Sequence, residues 1–280
     1  MTAAAQKAQL IEVEPGIRLS VIAAAPSDKP ALLLSNSIGA CFEMWDEFAA
    51  CAGERFRLIR YDTRGHGRSS VPSGPYTIGR LGRDVIGVLD ALNVERAIVC
   101  GLSLGGLTGM WLGSAFPERV SGLILANTAA SFPPPMLWRE RAAAVRAEGM
   151  APLVTATLDR WFTRAFQAAQ PERVAKIGRM IASTPPEGYA ACCEVLAATN
   201  LTEDLSAITC KVQVICGAHD SSAPPSRGEE LVAAIAEAIM VTLDSAHISA
   251  IESAEQFANT VIRFSTRVTS AATTIAGGVI

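Results

Sequence analysis

Cys100-Gly101-Leu102-Ser103-Leu104-Gly105-Gly106 joins an apolar run, 97–101, to a helical pattern, 104–115. A serine flanked by glycines two residues away on either side, at a strand-to-helix turn, is the G-x-S-x-G arrangement that presents a nucleophile on a sharp bend. Such a bend holds a strained backbone, and small neighbours at Gly101 and Gly105 leave room for it and for close helix packing. The turn would expose the Ser103 hydroxyl and aim the first amides of the helix at an oxyanion formed beside it. A glycine-rich turn with a helix-capping serine is the plainer reading of the pentapeptide alone. The strand and helix on its two sides favour the nucleophile.

Outward from this turn, short apolar runs recur at 31–35, 56–61, 120–126, 212–217 and 239–243, as expected of strands buried on both faces of a parallel sheet. Helical patterns at 44–52, 78–92, 104–115, 227–236 and 254–267 alternate with them, which predicts an α/β sheet covered by helices. A weaker pair, 10–13 and 17–23, is joined by Pro15-Gly16 and reads as an opening antiparallel hairpin. Between 126 and 212 the alternation fails: the composition is helical, with Pro133-Pro134-Pro135, Trp138, Trp161 and Pro185-Pro186 and no convincing strand. The expected organisation is a core of residues 1–127 and 207–268, an inserted helical lid at 128–206, and a loosely held, aperiodic tail at 269–280.

Composition narrows the function. The chain has 280 residues, with 24 Lys and Arg against 27 Asp and Glu, a net charge of −3 that leaves no basic surplus for binding phosphate backbones. Half of the residues are hydrophobic and 18% are charged, which suits a globular chain able to bury roughly three-quarters of its unfolded surface. The seven cysteines show neither a disulfide framework nor paired metal-ligand spacing, so a reducing cytoplasm is expected and no metal. MTAAAQKAQL has no secretory apolar stretch, and no run is long enough to span a membrane.

A serine needs a base, and there are three histidines. His247, in Asp244-Ser245-Ala246-His247-Ile248-Ser249, lies between the last strand and the final helix, where a loop can return to the carboxyl edge of the sheet. It is the expected general base. His219 and Asp220 follow the strand at 212–217, and adjacent side chains in extended backbone point to opposite sides, so one of them can face the site. Asp220 as acid gives the order Ser103, Asp220, His247, and its carboxylate would fix the imidazole tautomer. Asp244 is the alternative acid. The loop Asp62-Thr63-Arg64-Gly65-His66-Gly67-Arg68-Ser69 reads as a tight turn held by its own charges, with His66 structural rather than catalytic. Ser35-Asn36-Ser37-Ile38-Gly39 ends another strand, and the amides of Ile38 and Leu104 are the candidate oxyanion donors; a polar turn that merely closes the strand is the rival reading.

Taken together, SNSIG (35–39), RYDTRGHGRS (60–69), GPYTI (74–78), CGLSLGG (100–106), NTAA (127–130), RWFT (160–163), EGY (187–189), GAHD (217–220) and SAHIS (245–249) resemble the α/β-hydrolase family, and more narrowly its 3-oxoadipate enol-lactonases. The resemblance runs from about Gly16 to Phe264. Most α/β-hydrolases look like His-Gly where this chain has Asn36-Ser37, and that departure is itself characteristic of the enol-lactonases. The resemblance implies an α/β-hydrolase fold with a mostly parallel eight-stranded sheet and a helical lid. It also implies opening of the lactone ring of 3-oxoadipate enol-lactone to 3-oxoadipate, in the β-ketoadipate pathway of aromatic degradation, with neither metal nor organic cofactor.

An anionic lactone calls for a cation cluster at the far end of the pocket. Trp138, Arg139, Arg141, Arg160 and Trp161 of the lid region are the candidates, the tryptophans being able to pack on a flat ring. For each, a solvated helix-face charge or a ring packing lid onto core is the competing reading. A carboxylesterase, a carbon–carbon bond hydrolase or a perhydrolase would share the triad, and a non-catalytic ligand receptor could share the fold. No nucleic acid or membrane partner is expected, and a homo-oligomer is left open.

Overall fold

The computed structural model of the protein describes residues 7–276, with side chains through Ser270. β1 (Gln9–Glu14) and β2 (Ile17–Ala23) form an antiparallel hairpin around Pro15-Gly16, where Gly16 takes a left-handed φ of 76°. β3 (Ala31–Ser35), α1 (Asp46–Ala52), β4 (Arg57–Tyr61), α2 (Ile78–Ala91), β5 (Ala97–Leu102), α3 (Leu104–Ala115) and β6 (Val120–Ala126) then alternate. Five helices follow with no strand among them: α4 (Pro135–Glu148), α5 (Val154–Trp161), α6 (Arg164–Ala169), α7 (Pro171–Ala182) and α8 (Pro186–Ala198). The chain returns through β7 (Val212–Gly217), α9 (Pro225–Ala234), β8 (Ala238–Leu243), α10 (Ser249–Glu252) and α11 (Ala254–Ala276).

The eight strands form one sheet in the order β1-β2-β4-β3-β5-β6-β7-β8. β2 pairs antiparallel with both its neighbours, and all pairs from β4 to β8 are parallel. Every residue of β5 and β7 is buried, which is why their sequences are apolar, Gln213 apart, rather than alternating. β8, at the edge, is only part-buried. α2 covers the sheet with Leu81, Val85, Val88 and Leu89, spaced as one helical stripe, and starts on the Thr77 hydroxyl, which accepts from the Arg80 amide at 3.0 Å. On the other side, Phe48 of α1 meets Phe257 of α11 edge-on, ring centres 6.0 Å apart.

The charges of the loop 62–69 hold it in shape, through one bond within it and several to the elements around it. Asp62 accepts from the Phe42 and Arg68 amides at 2.8 and 2.9 Å, and burial pushes its carboxyl up to about 6. Arg64 makes two hydrogen bonds to the buried Asp84, at 2.8 and 2.7 Å, and pairs with Glu14 at 2.7 Å. His66 is fully buried, and burial lowers it to about 4, so it is neutral near pH 7. Its Nε2 accepts from the Gly39 amide at 2.9 Å. The histidine thus supports the 35–39 loop and has no place in the cavity.

α11 continues through Ala276, past Arg267 and into the first part of the 269–280 tail. Ser, Thr, Ala and Ile each add a hydrogen bond to a helix already nucleated, and the sequence has no glycine until Gly277 to stop it. Residues 277–280 of that tail lie outside the described residues. No helix among the described residues is long and apolar enough to cross a membrane.

Candidate active site

The carboxyl ends of β3, β5, β6, β7 and β8 open on one edge of the sheet, and the loops leaving them carry Ile38, Ser103, Asn127, Asp220 and His247. Ser103 stands between β5 and α3 at φ 58°, ψ −116°, a left-handed conformation that a residue with a Cβ rarely takes. The surroundings determine it from several sides. Its amide donates to Ala126 O at 3.0 Å, and its carbonyl accepts from the Thr128 hydroxyl at 2.8 Å and from the Leu107 amide at 3.0 Å. A Cβ on Gly101 would collide with the Gly105 carbonyl, and one on Gly105 with the Ser35 carbonyl, so both glycines are needed for the bend to close.

His247 Nδ1 and Asp220 Oδ2 are 2.8 Å apart and both side chains are buried. The other oxygen of Asp220 accepts the Ser222 and Ala223 amides at 2.8 and 3.0 Å. Burial pushes this carboxyl up, but the neighbouring His247 and these hydrogen bonds outweigh it and hold the group below the usual carboxylate range. The acid is therefore ionised at neutral pH. His247 Nε2 has no partner among the described residues, and Ser103 Oγ does not reach it at hydrogen-bond geometry; both residues line one cavity of about 390 Å³. Such bonds often close only when substrate is bound.

His219, the other residue of the pair, turns outward. Its Nε2 lies 2.8 Å from Asp244 Oδ1, and both side chains are exposed, so Asp244 pairs with His219 and not with His247. Ile38 and Leu104 are buried beside Ser103, and neither amide has an acceptor among the described residues. Their loop is fixed by Asn36, which donates to Tyr61 O and accepts from Trp45 Nε1, each at 2.8 Å.

The inserted helices roof the cavity. Trp138 and Arg141 of α4 and Arg160 and Trp161 of α5 line it, whereas Arg139 is exposed and does not. The Arg141 guanidinium lies over the Trp138 ring, 4.6 Å from its centre. Arg160 donates only to Thr157 Oγ1, at 3.3 Å, and burial together with the charge of Arg141 lowers its pKa. Neither arginine is paired with a carboxylate among the described residues. Trp161 also ties roof to core, its carbonyl accepting from the Ile248 amide at 3.1 Å. The cavity has further lining residues that spacing does not single out, Arg227 and Tyr189 among them. Arg227 of α9 enters the cavity but is neutralised by Glu230 at 2.8 Å; its signal was a position seven residues after the acid. Tyr189 of EGY lines it as well, and burial pushes its hydroxyl up to about 12, leaving it a neutral donor. No group of three or more His, Cys, Asp or Glu among the described residues is placed to hold a metal ion.

The family profile of the alpha/beta hydrolase fold matches residues 30–254. 3-Oxoadipate enol-lactonase 2 of Acinetobacter baylyi is 42% identical over 235 residues, covering 84% of this chain and 88% of the relative. 3-Oxoadipate enol-lactonase 1 of the same organism is 38% identical over 248 residues, 89% of this chain and 93% of the relative. The crystal structure of the enol-lactonase from Burkholderia xenovorans superposes with a TM-score of 0.89 at 42% identity, covering 91% of this chain and 99% of that one.

Proposed function

The chain belongs to the α/β-hydrolase family, and from that membership we propose that it is a serine hydrolase that opens the ring of 3-oxoadipate enol-lactone to give 3-oxoadipate in the β-ketoadipate pathway. The observation that carries the reading is the meeting, in one cavity, of Ser103 on its strained turn, His247 with Asp220 bonded behind it, and two guanidinium groups without a carboxylate partner among the described residues. The first three perform acyl transfer. The last two suit a substrate that brings its own carboxylate.

His247 Nε2 takes the Ser103 proton as Oγ bonds to the lactone carbonyl carbon, and the amides of Ile38 and Leu104 hold the resulting oxyanion. Collapse breaks the bond from the acyl carbon to the ring oxygen, which leaves as an enolate and takes the proton from His247. This leaving group stays tethered to the acyl chain, so its departure gives no entropic gain. Tautomerisation of the enol to the ketone is what makes ring opening hard to reverse. Water, deprotonated by His247, then attacks the acyl carbon, and Ser103 leaves with the proton, releasing the dicarboxylate. No metal or organic cofactor enters any step.

Residues 128–206 serve as the lid, and the flanking core, of which residues 7–127 and 207–268 are described, bears the triad. The seven cysteines are all free, which supports action in a reducing compartment such as the cytoplasm. Arg141 and Arg160 hold the substrate carboxylate from the lid. Arg141→Met and Arg160→Met are each expected to raise KM about tenfold or more, the scale of a hydrogen bond to a charged group, with kcat changing less. Arg139→Met should leave KM within about twofold. Unchanged KM in both lining variants would remove the lid-cation assignment.

The activity itself is tested by the ultraviolet absorbance of freshly generated enol-lactone, which should disappear on adding purified enzyme. p-Nitrophenyl acetate and a ring-cleavage dienoate should turn over far more slowly. Preference for either of these would make the protein an esterase or a carbon–carbon bond hydrolase on the same triad.

A further inference from the structure

The NTAA segment leaves β6 between the nucleophile and the acid, and the mechanism above gives it no task. Asn127 is buried, with a left-handed φ of 46°. Its backbone amide donates to Ile215 O at 2.8 Å, binding the end of β6 to β7, the strand that leads to Asp220. Its side chain reaches three ways. Nδ2 donates to Asp220 Oδ2 at 3.0 Å and to Ala246 O at 3.2 Å, and Oδ1 accepts from the Ser249 hydroxyl at 2.5 Å. One planar amide thus touches the acid, the residue before the base and the residue two after it. The oxygen of Asp220 that it meets is the one paired with His247 Nδ1. With one lone pair of Oδ2 taken by Asn127, the other is directed at the imidazole. The Ser249 hydroxyl fixes the sense of the amide, because with its oxygen committed to Ser249 the nitrogen must face Asp220 and Ala246.

The neighbour completes the device. The Thr128 hydroxyl holds the Ser103 carbonyl, and the Thr128 side chain fills the space that a Cβ on Gly106 would need. Two consecutive residues therefore hold the nucleophile turn and the acid–base pair against each other.

We propose that Asn127 is a positioning residue that sets Asp220 and the His247 loop in register with Ser103, a role that rests on the triad assigned above. Left-handed backbone alone would account for an asparagine here, and three variants separate the two roles. Asn127→Gly accepts the backbone and keeps its amide but deletes the side chain. Asn127→Asp keeps the shape, the backbone preference and the acceptor for Ser249, but turns an oxygen toward Asp220 Oδ2 and the Ala246 carbonyl. Ser249→Ala frees the amide to rotate.

Positioning predicts that Asn127→Gly lowers kcat about 10- to 100-fold with KM within about threefold, the size of one lost hydrogen bond to a charged group. The rate of Ser103 labelling by a fluorophosphonate should fall in the same ratio, since it reads nucleophile activation without the substrate. Asn127→Asp should be no better than Asn127→Gly, and Ser249→Ala should lose about three- to tenfold in both rates. A purely conformational role predicts the opposite order, with Asn127→Gly and Asn127→Asp near the unmodified rate, and that result overturns the proposal. Thermal denaturation checks that each variant folds; should both Asn127 variants fail, an unchanged kcat and labelling rate in Ser249→Ala overturns it instead. Failure of the triad reading looks different: the unmodified enzyme would not be labelled at all.

Discussion

Ser103→Ala is expected to lower kcat by a factor of about 10⁴ to 10⁶ while leaving the fold and substrate affinity nearly intact. The proposed oxyanion donors belong to the backbone of Ile38 and Leu104 and survive the change, so a residual rate above that of water should remain. The Cβ stays too, so the left-handed strain at this position is neither relieved nor increased, and thermal stability should move little. Fluorophosphonate labelling should vanish. Retention of more than about one per cent of kcat would mean that water, rather than this hydroxyl, attacks the lactone. The triad would then be a general-base site, with Ser103 a bystander on the strained turn.

What the sequence made legible was whatever depends on local pattern. β6 and β7 appear at 120–126 and 212–217 because buried parallel strands are mainly apolar runs with clear ends, here broken only by Ser121 and Gln213. The glycines at 101 and 105 mark the nucleophile because only residues without a Cβ permit that bend. Choosing between His219 and Asp220 required the direction of each side chain, which spacing leaves open; the structure turns the acid inward and the histidine toward Asp244. The arginines of α4 show where helical phase was overlooked. Trp138, Ala142 and Val145 mark its inward stripe, so Arg141, three residues from Trp138, stays with the cavity, while Arg139 is rotated by about 100° from Trp138 and faces water. Asn127 carries no local signal of its role, because its side-chain partners lie 93 to 122 residues away.

Asp220→Asn should cost about as much as loss of an orienting acid does in serine hydrolases generally, roughly 10⁴-fold in kcat, with KM within a few fold. The hydrogen bonds around this side chain dictate why. Oδ1 accepts two backbone amides, from Ser222 and Ala223, that cannot be satisfied by an NH₂ group. The asparagine oxygen must therefore take that place, which leaves its nitrogen facing His247 Nδ1 and the Nδ2 donor of Asn127. To accept from that nitrogen, Nδ1 must lose its proton, and the neutral ring then carries hydrogen on Nε2. Such a ring cannot accept the Ser103 proton, so the variant holds its base in the wrong tautomer with little change of shape. Asp244 offers no substitute, being exposed and engaged with His219 at 2.8 Å, so Asp244→Asn should leave kcat within about threefold. A large loss in Asp244→Asn with a mild one in Asp220→Asn would reverse the assignment of the acid and move the base's partner to β8.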